Sequence, residues 1–322
     1  MKIFCFLAES AGAGMDARLP DGWTYVIVPP ERWDDPLGAD VRKDLQDSDF
    51  MLVGMRRITE ELLDDCNRLK LIQRFGVGYD TVDLDAAAAR GIPVANVAGV
   101  TSVSVAEYTI GVILSLLRRI PPYDRHVRNG KWAGGLTNDR NYELCGRTVG
   151  IVGFGAIGRA LARRLVGFGV KTLYSDVTSC PCELEAELHA ERVSLDELLT
   201  QSDIVTLHVP FTDSTKNLIG KKQLAGMKPT AYLIDAARGG VVDEEALADA
   251  LNEGSIAGAA LDVFAHEPLP AGHPLTTAPN TLLTPHIAGP TYEMQRRVFD
   301  FAFANFRRVA EGERPLCVVN AV

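Results

Sequence analysis

The sequence predicts an α/β chain of two doubly wound parallel-sheet domains. Three observations carry this. The chain has 322 residues, about twice the usual single-domain length. Short β-rich runs alternate with helical ones along almost all of it. A glycine-rich turn, Gly153-Phe154-Gly155-Ala156-Ile157-Gly158, opens a second βα series halfway along. With 47% hydrophobic and 23% charged residues, there is enough apolar material for two cores.

In chain order, residues 3–7, 25–28, 50–54 and 71–75 read as strands, with helical segments at 60–68 and 84–90. Gly91-Ile92-Pro93 turns into a short strand ending near Asn96. Ser104 and Glu107 stand at capping-box spacing, which predicts the head of an apolar helix running to about Arg119. Pro121-Pro122 is expected to stop it. The polar stretch 123–146, containing Asn129-Gly130-Lys131-Trp132, is too long for an ordinary loop and predicts an arm that meets a partner. From Arg147 onward, strands are predicted at 148–152, 171–175, 204–208, 231–235 and 256–261, and a short one before Thr284. Helices are predicted at 156–168, 195–201 and 244–253. Aromatic residues at 292, 299, 303 and 306 mark 291–310 as a long amphipathic helix that returns to the first domain.

Charge and composition narrow the function. Lys plus Arg total 33 against 42 Asp plus Glu, a net charge of −9, the wrong sign of field for non-specific nucleic-acid binding. No apolar run approaches the ~18 residues of a membrane span. The N-terminal MKIFCFLAES reads as a first strand rather than a signal peptide. The six cysteines are scattered without a CxxC pair, and the close pair Cys180 and Cys182 lacks a second ligand cluster, so no metal is expected. A reduced, cytoplasmic setting fits best.

The glycine turn follows the strand 148–152 and opens a helix, the context that makes GxGxxG a dinucleotide signal. Gly153 permits the tight turn, Gly155 lets backbone approach a pyrophosphate, and Gly158 allows close helix–strand packing. The helix N-terminus presents free N–H groups and a positive dipole end to the phosphates. Asp176 closes the next strand, where a carboxylate can accept hydrogen bonds from both adenosine ribose hydroxyls and repel a 2′-phosphate. No Arg occurs within residues 177–179, so the expected cofactor is NAD rather than NADP.

Three further residues stand after strands, where open α/β sheets bind ligands: Arg238, Glu267 and His286. They are what oxidation of a 2-hydroxy acid requires. The imidazole takes the hydroxyl proton as hydride leaves the same carbon. The guanidinium holds the carboxylate and polarises the developing oxygen. The acid orients the imidazole and favours its protonated form.

Taken with Arg74-Phe75-Gly76-Val77-Gly78-Tyr79-Asp80, Ser104, Glu107 and residues 129–132, these segments resemble the D-2-hydroxyacid dehydrogenase family over nearly the whole chain. The resemblance implies His286 as acid/base, Glu267 as its partner and Arg238 as substrate clamp. It implies that the backbone at Val77 and Gly78 meets the substrate carboxylate, and that Ala156 and Ile157 approach the pyrophosphate. Val209, Pro210, Ala236, Asp262 and Gly289 would lie along the cofactor. It also implies a Rossmann NAD-binding domain (100–289) inserted into a flavodoxin-like substrate domain (1–99 and 290–322). Residues 104–146 would form the dimerisation helix and arm of a homodimer.

Within the family, the phosphoglycerate dehydrogenase and glyoxylate/hydroxypyruvate reductase branches are the nearest in pattern. No regulatory C-terminal domain is expected after the closing helix. Asp235 stands where Asn is common. Glu267 and Val77 stand where formate and phosphite dehydrogenases of the family carry Gln and Lys, which points away from those chemistries. A non-catalytic NAD-sensing protein, resembling the C-terminal-binding-protein co-repressors, keeps the same trio and is the remaining alternative. Arg56, Arg57 and Arg74 are candidates for a second anionic group on the substrate; otherwise Arg56 and Arg57 are solvated charges and Arg74 pairs with Asp80 or Asp83. His208 and His266 are expected to be non-catalytic, and Trp132 to pack.

Overall fold

A computed structural model of the chain describes residues 1–33, 37–132 and 141–322. The chain divides into two compact units, Met1–Thr101 with Pro290–Val322, and Ser102–Gly289.

The first unit is a five-stranded sheet of β1 (Lys2–Phe6), β2 (Thr24–Ile27), β3 (Phe50–Val53), β4 (Leu71–Arg74) and β5 (Val94–Ala95). Its order is β2-β1-β3-β4-β5, with every neighbouring pair parallel. Side chains alternate between two cores as the strand period of two requires. Phe4, Phe6, Met51, Val53 and Ile72 bury one face, and Ile3, Cys5, Phe50, Leu52 and Leu71 the other. The closing helix, Tyr292–Ala310, lays Phe299, Ala302, Phe303 and Phe306 on the second face, the return predicted from its aromatic spacing. Phe50 and Phe306 stack with ring centres 5.0 Å apart.

The second unit is a seven-stranded parallel sheet of β6 (Thr148–Val152), β7 (Lys171–Ser175), β8 (Ala190–Arg192), β9 (Ile204–Leu207), β10 (Tyr232–Asp235), β11 (Gly258–Leu261) and β12 (Thr281–Leu283). The order is β12-β11-β10-β9-β6-β7-β8, so the winding reverses between β6 and β9. The register aligns the carboxyl ends: Val152 faces Ser175 and Leu207, Leu207 faces Asp235, Asp235 faces Leu261, and Leu261 faces Leu283. Every residue just past these ends therefore emerges at one edge of the sheet.

Several local expectations need correction. The apolar helix begins at Ser102 and ends at Leu117, so Ser104 and Glu107 lie inside it rather than forming its capping box. The apolar helix does stop before Pro121-Pro122, but the two prolines also sit in the first turn of a new helix, Ile120–Arg128, where a missing N–H costs nothing. The start of the predicted arm is thus helical, while its residues 133–140 lie outside the described ones. The helix predicted at 60–68 is a single turn, Glu60–Leu63. Unforeseen are β8 and the short helices Gly12–Asp16, Ala39–Gln46, Cys182–Leu188 and Lys221–Gly226. Among the described residues no helix is long and apolar enough to cross a membrane.

Candidate active site

The glycine turn fits a dinucleotide. Gly153 has φ +92°, and a Cβ there would lie 2.6 Å from the His208 carbonyl oxygen; at Gly158 one would lie 2.3 Å from the Gly153 oxygen. Neither position admits a side chain. The helix Ala156–Leu165 begins at Gly155 with no side-chain cap, leaving first-turn N–H groups, those of Ala156 and Ile157 among them, for an anion. Val209 packs beside Gly153. Asp176 is held by its own chain. One carboxylate oxygen accepts from Phe154 N–H at 2.6 Å and the other from Thr178 N–H at 2.8 Å. An apolar cluster gathers Ile157, from the first turn of the helix Ala156–Leu165, Ala236 and Ala288 with Val105 and Tyr108 of the helix Ser102–Leu117. The last two residues escaped the sequence reading.

Past β10, the Arg238 loop is pressed against the loop that follows β11: a Cβ on Gly239 would lie 1.9 Å from the Phe264 oxygen. Arg238 Nη1 donates to the Ala237 oxygen at 2.7 Å. Asp235, 2% exposed, accepts from Ala237 N–H at 2.9 Å. Burial pushes its carboxyl up to about 7; the Ala237 bond and Arg238 oppose the rise, while Glu244 and Asp262 add to it.

Asp262, 1% exposed, pins the turn after β12. Its carboxylate accepts from Thr284 Oγ1 at 2.6 Å, Ile287 N–H at 2.9 Å and Ala288 N–H at 2.7 Å. Its backbone oxygen accepts from His286 N–H at 2.8 Å. Glu244 likewise takes Ala265 N–H at 2.6 Å. Between these anchors Glu267 and His286 meet. One Glu267 oxygen accepts from Phe264 N–H at 3.0 Å, and the other lies 2.8 Å from His286 Nδ1. His286 Nε2 has no hydrogen-bond partner among the described residues, so in the neutral ring the proton on Nδ1 goes to Glu267 and the Nε2 lone pair is open. Such a pair can accept and return a proton.

His208 differs. Its Nε2 lies 3.0 Å from Thr206 Oγ1, its Nδ1 is buried without a partner, and burial pushes the ring down to about 4. It stays neutral near pH 7, as befits a packed rather than a reacting histidine. Pro210 and Gly289 flank the same sheet edge, with Pro210 exposed and its oxygen accepting from Thr215 Oγ1.

In the first unit Arg74 is 5% exposed. Its guanidinium donates to the carbonyl oxygens of Gly78, at 2.7 Å, and of Gly54. The neighbouring carbonyls are also taken, Val77 by Asn96 Nδ2 at 2.8 Å and Gly76 by Val97 N–H at 3.4 Å. The N–H groups of Gly76, Val77 and Gly78 donate to nothing among the described residues. Arg56 sits over the Phe6 ring at 5.7 Å, Arg57 is exposed, and Asp83 caps the helix Leu84–Ala89.

Residues 110–288 match the family model described as D-isomer specific 2-hydroxyacid dehydrogenase, NAD binding domain. The chain belongs to that family. It is an oxidoreductase acting on the CH–OH group of 2-hydroxy acids with a nicotinamide dinucleotide. It is 44% identical to a glyoxylate reductase of Thermofilum pendens over 292 residues, covering 88% of this chain and 85% of that one. A D-3-phosphoglycerate dehydrogenase of Methanocaldococcus jannaschii is 37% identical over 86% of this chain but only 52% of its own length. Among solved structures, the NADPH-dependent glyoxylate/hydroxypyruvate reductase of Sinorhizobium meliloti, in complex with NADP and malonate, superposes with a TM-score of 0.85. It is 34% identical, with 99% of this dehydrogenase and 96% of that chain covered.

Proposed function

We propose that this dehydrogenase reduces small 2-keto acids of the glyoxylate and hydroxypyruvate type, with NADH preferred over NADPH. The carrying observation is the Glu267–His286 pair with Nε2 open, at the same carboxyl-end edge of the sheet as the glycine turn. His286 Nε2 gives its proton to the keto oxygen in reduction and takes it back in oxidation. Glu267 holds the ring in place through Nδ1. Arg238 clamps the substrate carboxylate and polarises the reacting oxygen. The bound dinucleotide supplies or accepts the hydride. Ala156 and Ile157 N–H groups hold its pyrophosphate, with Ala236, Asp262 and Gly289 toward the nicotinamide and Val209 and Pro210 along its path. In the first unit, the substrate-binding part of the chain, the open N–H groups of Val77 and Gly78 receive the carboxylate, and Arg74 positions them.

A small, unphosphorylated substrate is favoured because Arg74 Nε and Nη1 turn to backbone oxygens, and because a relative 44% identical is a glyoxylate reductase. NAD(H) is favoured because the Asp176 carboxylate repels a 2′-phosphate. The exposed Val103, Ile120 and Val127 of the helices Ser102–Leu117 and Ile120–Arg128 support a homodimer through these helices. Steady-state assays with glyoxylate, hydroxypyruvate and phosphohydroxypyruvate, each with NADH and NADPH, test the reading. The expected kcat/KM is highest for the two unphosphorylated acids with NADH, and Asp176→Ala erodes the cofactor preference. Turnover of none of the three would leave a binding protein instead.

A further inference from the structure

The adenosine end of the dinucleotide site holds a group that the local sequence after Asp176 does not contain. Strand β8 runs parallel to β7, with Arg192 in register with Tyr174. From there Arg192 Nη2 reaches the Asp176 backbone oxygen at 2.9 Å. Arg192 is exposed, and this is its only hydrogen bond among the described residues; no acidic side chain pairs with it there. In the same turn Thr178 and Ser179 carry exposed hydroxyls. Asp176, the group that would repel a phosphate, already has both oxygens engaged by backbone N–H groups.

We propose that Arg192 is a second determinant of cofactor choice, a guanidinium that receives the 2′-phosphate of NADP(H) and lets the site take that dinucleotide alongside the preferred NAD(H). The proposal rests on the reading of the glycine turn and Asp176 as the dinucleotide site. Four remaining N–H donors in a planar fork suit a phosphate dianion, and the hydroxyls of Thr178 and Ser179 add neutral donors.

Calorimetric titration of the wild type, Arg192→Ala and Arg192→Lys with NAD+ and with NADP+ tests it without turnover. Because Arg192 is exposed and outside both cores, its replacement leaves the fold intact. The wild type is expected to bind both dinucleotides, NAD+ more tightly. Arg192→Ala should weaken NADP+ by about tenfold more than NAD+, the loss of one charge-assisted contact, and Arg192→Lys should restore part of it. Failure of the wild type to bind NADP+, or equal losses for both dinucleotides, would overturn the assignment to Arg192 while leaving the NAD site standing. Failure to bind NAD+ would overturn both.

Discussion

The two units anchor their strand-end loops with opposite charges. In the seven-stranded unit the anchors are carboxylates. Asp176, Asp262 and Glu244 accept backbone N–H groups of residues 154, 178, 287, 288 and 265. In the five-stranded unit the anchor is a cation: Arg74, helped by the Asn96 amide, takes carbonyl oxygens at 54, 77 and 78. A carboxylate anchor consumes N–H groups, so the chemistry left in that unit belongs to side chains, His286 and Arg238. A guanidinium anchor consumes carbonyls and leaves N–H groups, which suit an anion. On the function proposed above, one unit moves a proton and the other holds a carboxylate. Substitution deletes a side chain outright, but a backbone donor is lost only by releasing its anchor.

That difference can be broken from either side. The largest effect is expected for His286→Ala, which should lower kcat for glyoxylate reduction roughly 10²–10⁴-fold, the worth of a positioned acid or base. Next is Asp262→Ala, which strips three hydrogen bonds from a buried turn. Chemical denaturation should show a loss of about 3–5 kcal/mol, as for removing a buried charged partner, and activity should fall with it. Arg74→Ala should act mainly on binding, raising KM about tenfold for glyoxylate and for a phosphorylated keto acid alike. A loss confined to the phosphorylated acid would mean that Arg74 contacts a distal anion instead of setting the loop.

The smallest effect on turnover is expected for Asp235→Asn, read as stability against pH. Burial raises the folded-state carboxyl to about 7, so the folded chain holds a proton that the unfolded chain has released. Wild-type stability is then greatest below the unfolded value and declines as pH rises toward and through about 7. The Asn variant cannot titrate and should lose that part of the slope. Parallel melting-temperature profiles for the two proteins would show that Asp235 is not buried as a proton-bearing acid.

Legibility in the sequence followed range. The glycine turn, Asp176 and the Arg238, Glu267 and His286 contexts could be read because each sits at a strand end, and strand ends are marked by hydrophobic runs. The parallel order of both sheets followed from the βα alternation. What escaped depends on neighbours in space. Ala190–Arg192 is too short and too polar to announce a strand, so the approach of Arg192 to Asp176 was hidden. Pro121-Pro122 marked the end of one helix but hid the start of the next, because proline both ends and begins helices. The burial of Arg74 and its carbonyl partners, residues 54 and 78, could not be read because they are set by the packing of β3 against β4. The anchoring roles of Asp262 and Glu244 likewise appear only once the loops have met.

The most direct test of the proposed proton-moving pair is a double-mutant cycle in glyoxylate reduction, with Glu267→Gln, His286→Ala and the two combined beside the wild type. Glu267 lies 2.8 Å from His286 Nδ1 and holds the ring, so its loss should act only through the imidazole. The account predicts that Glu267→Gln lowers kcat by less than His286→Ala, and that the double variant is no slower than His286→Ala alone. Losses that multiply in the double variant would contradict it, because Glu267 would then not act through His286.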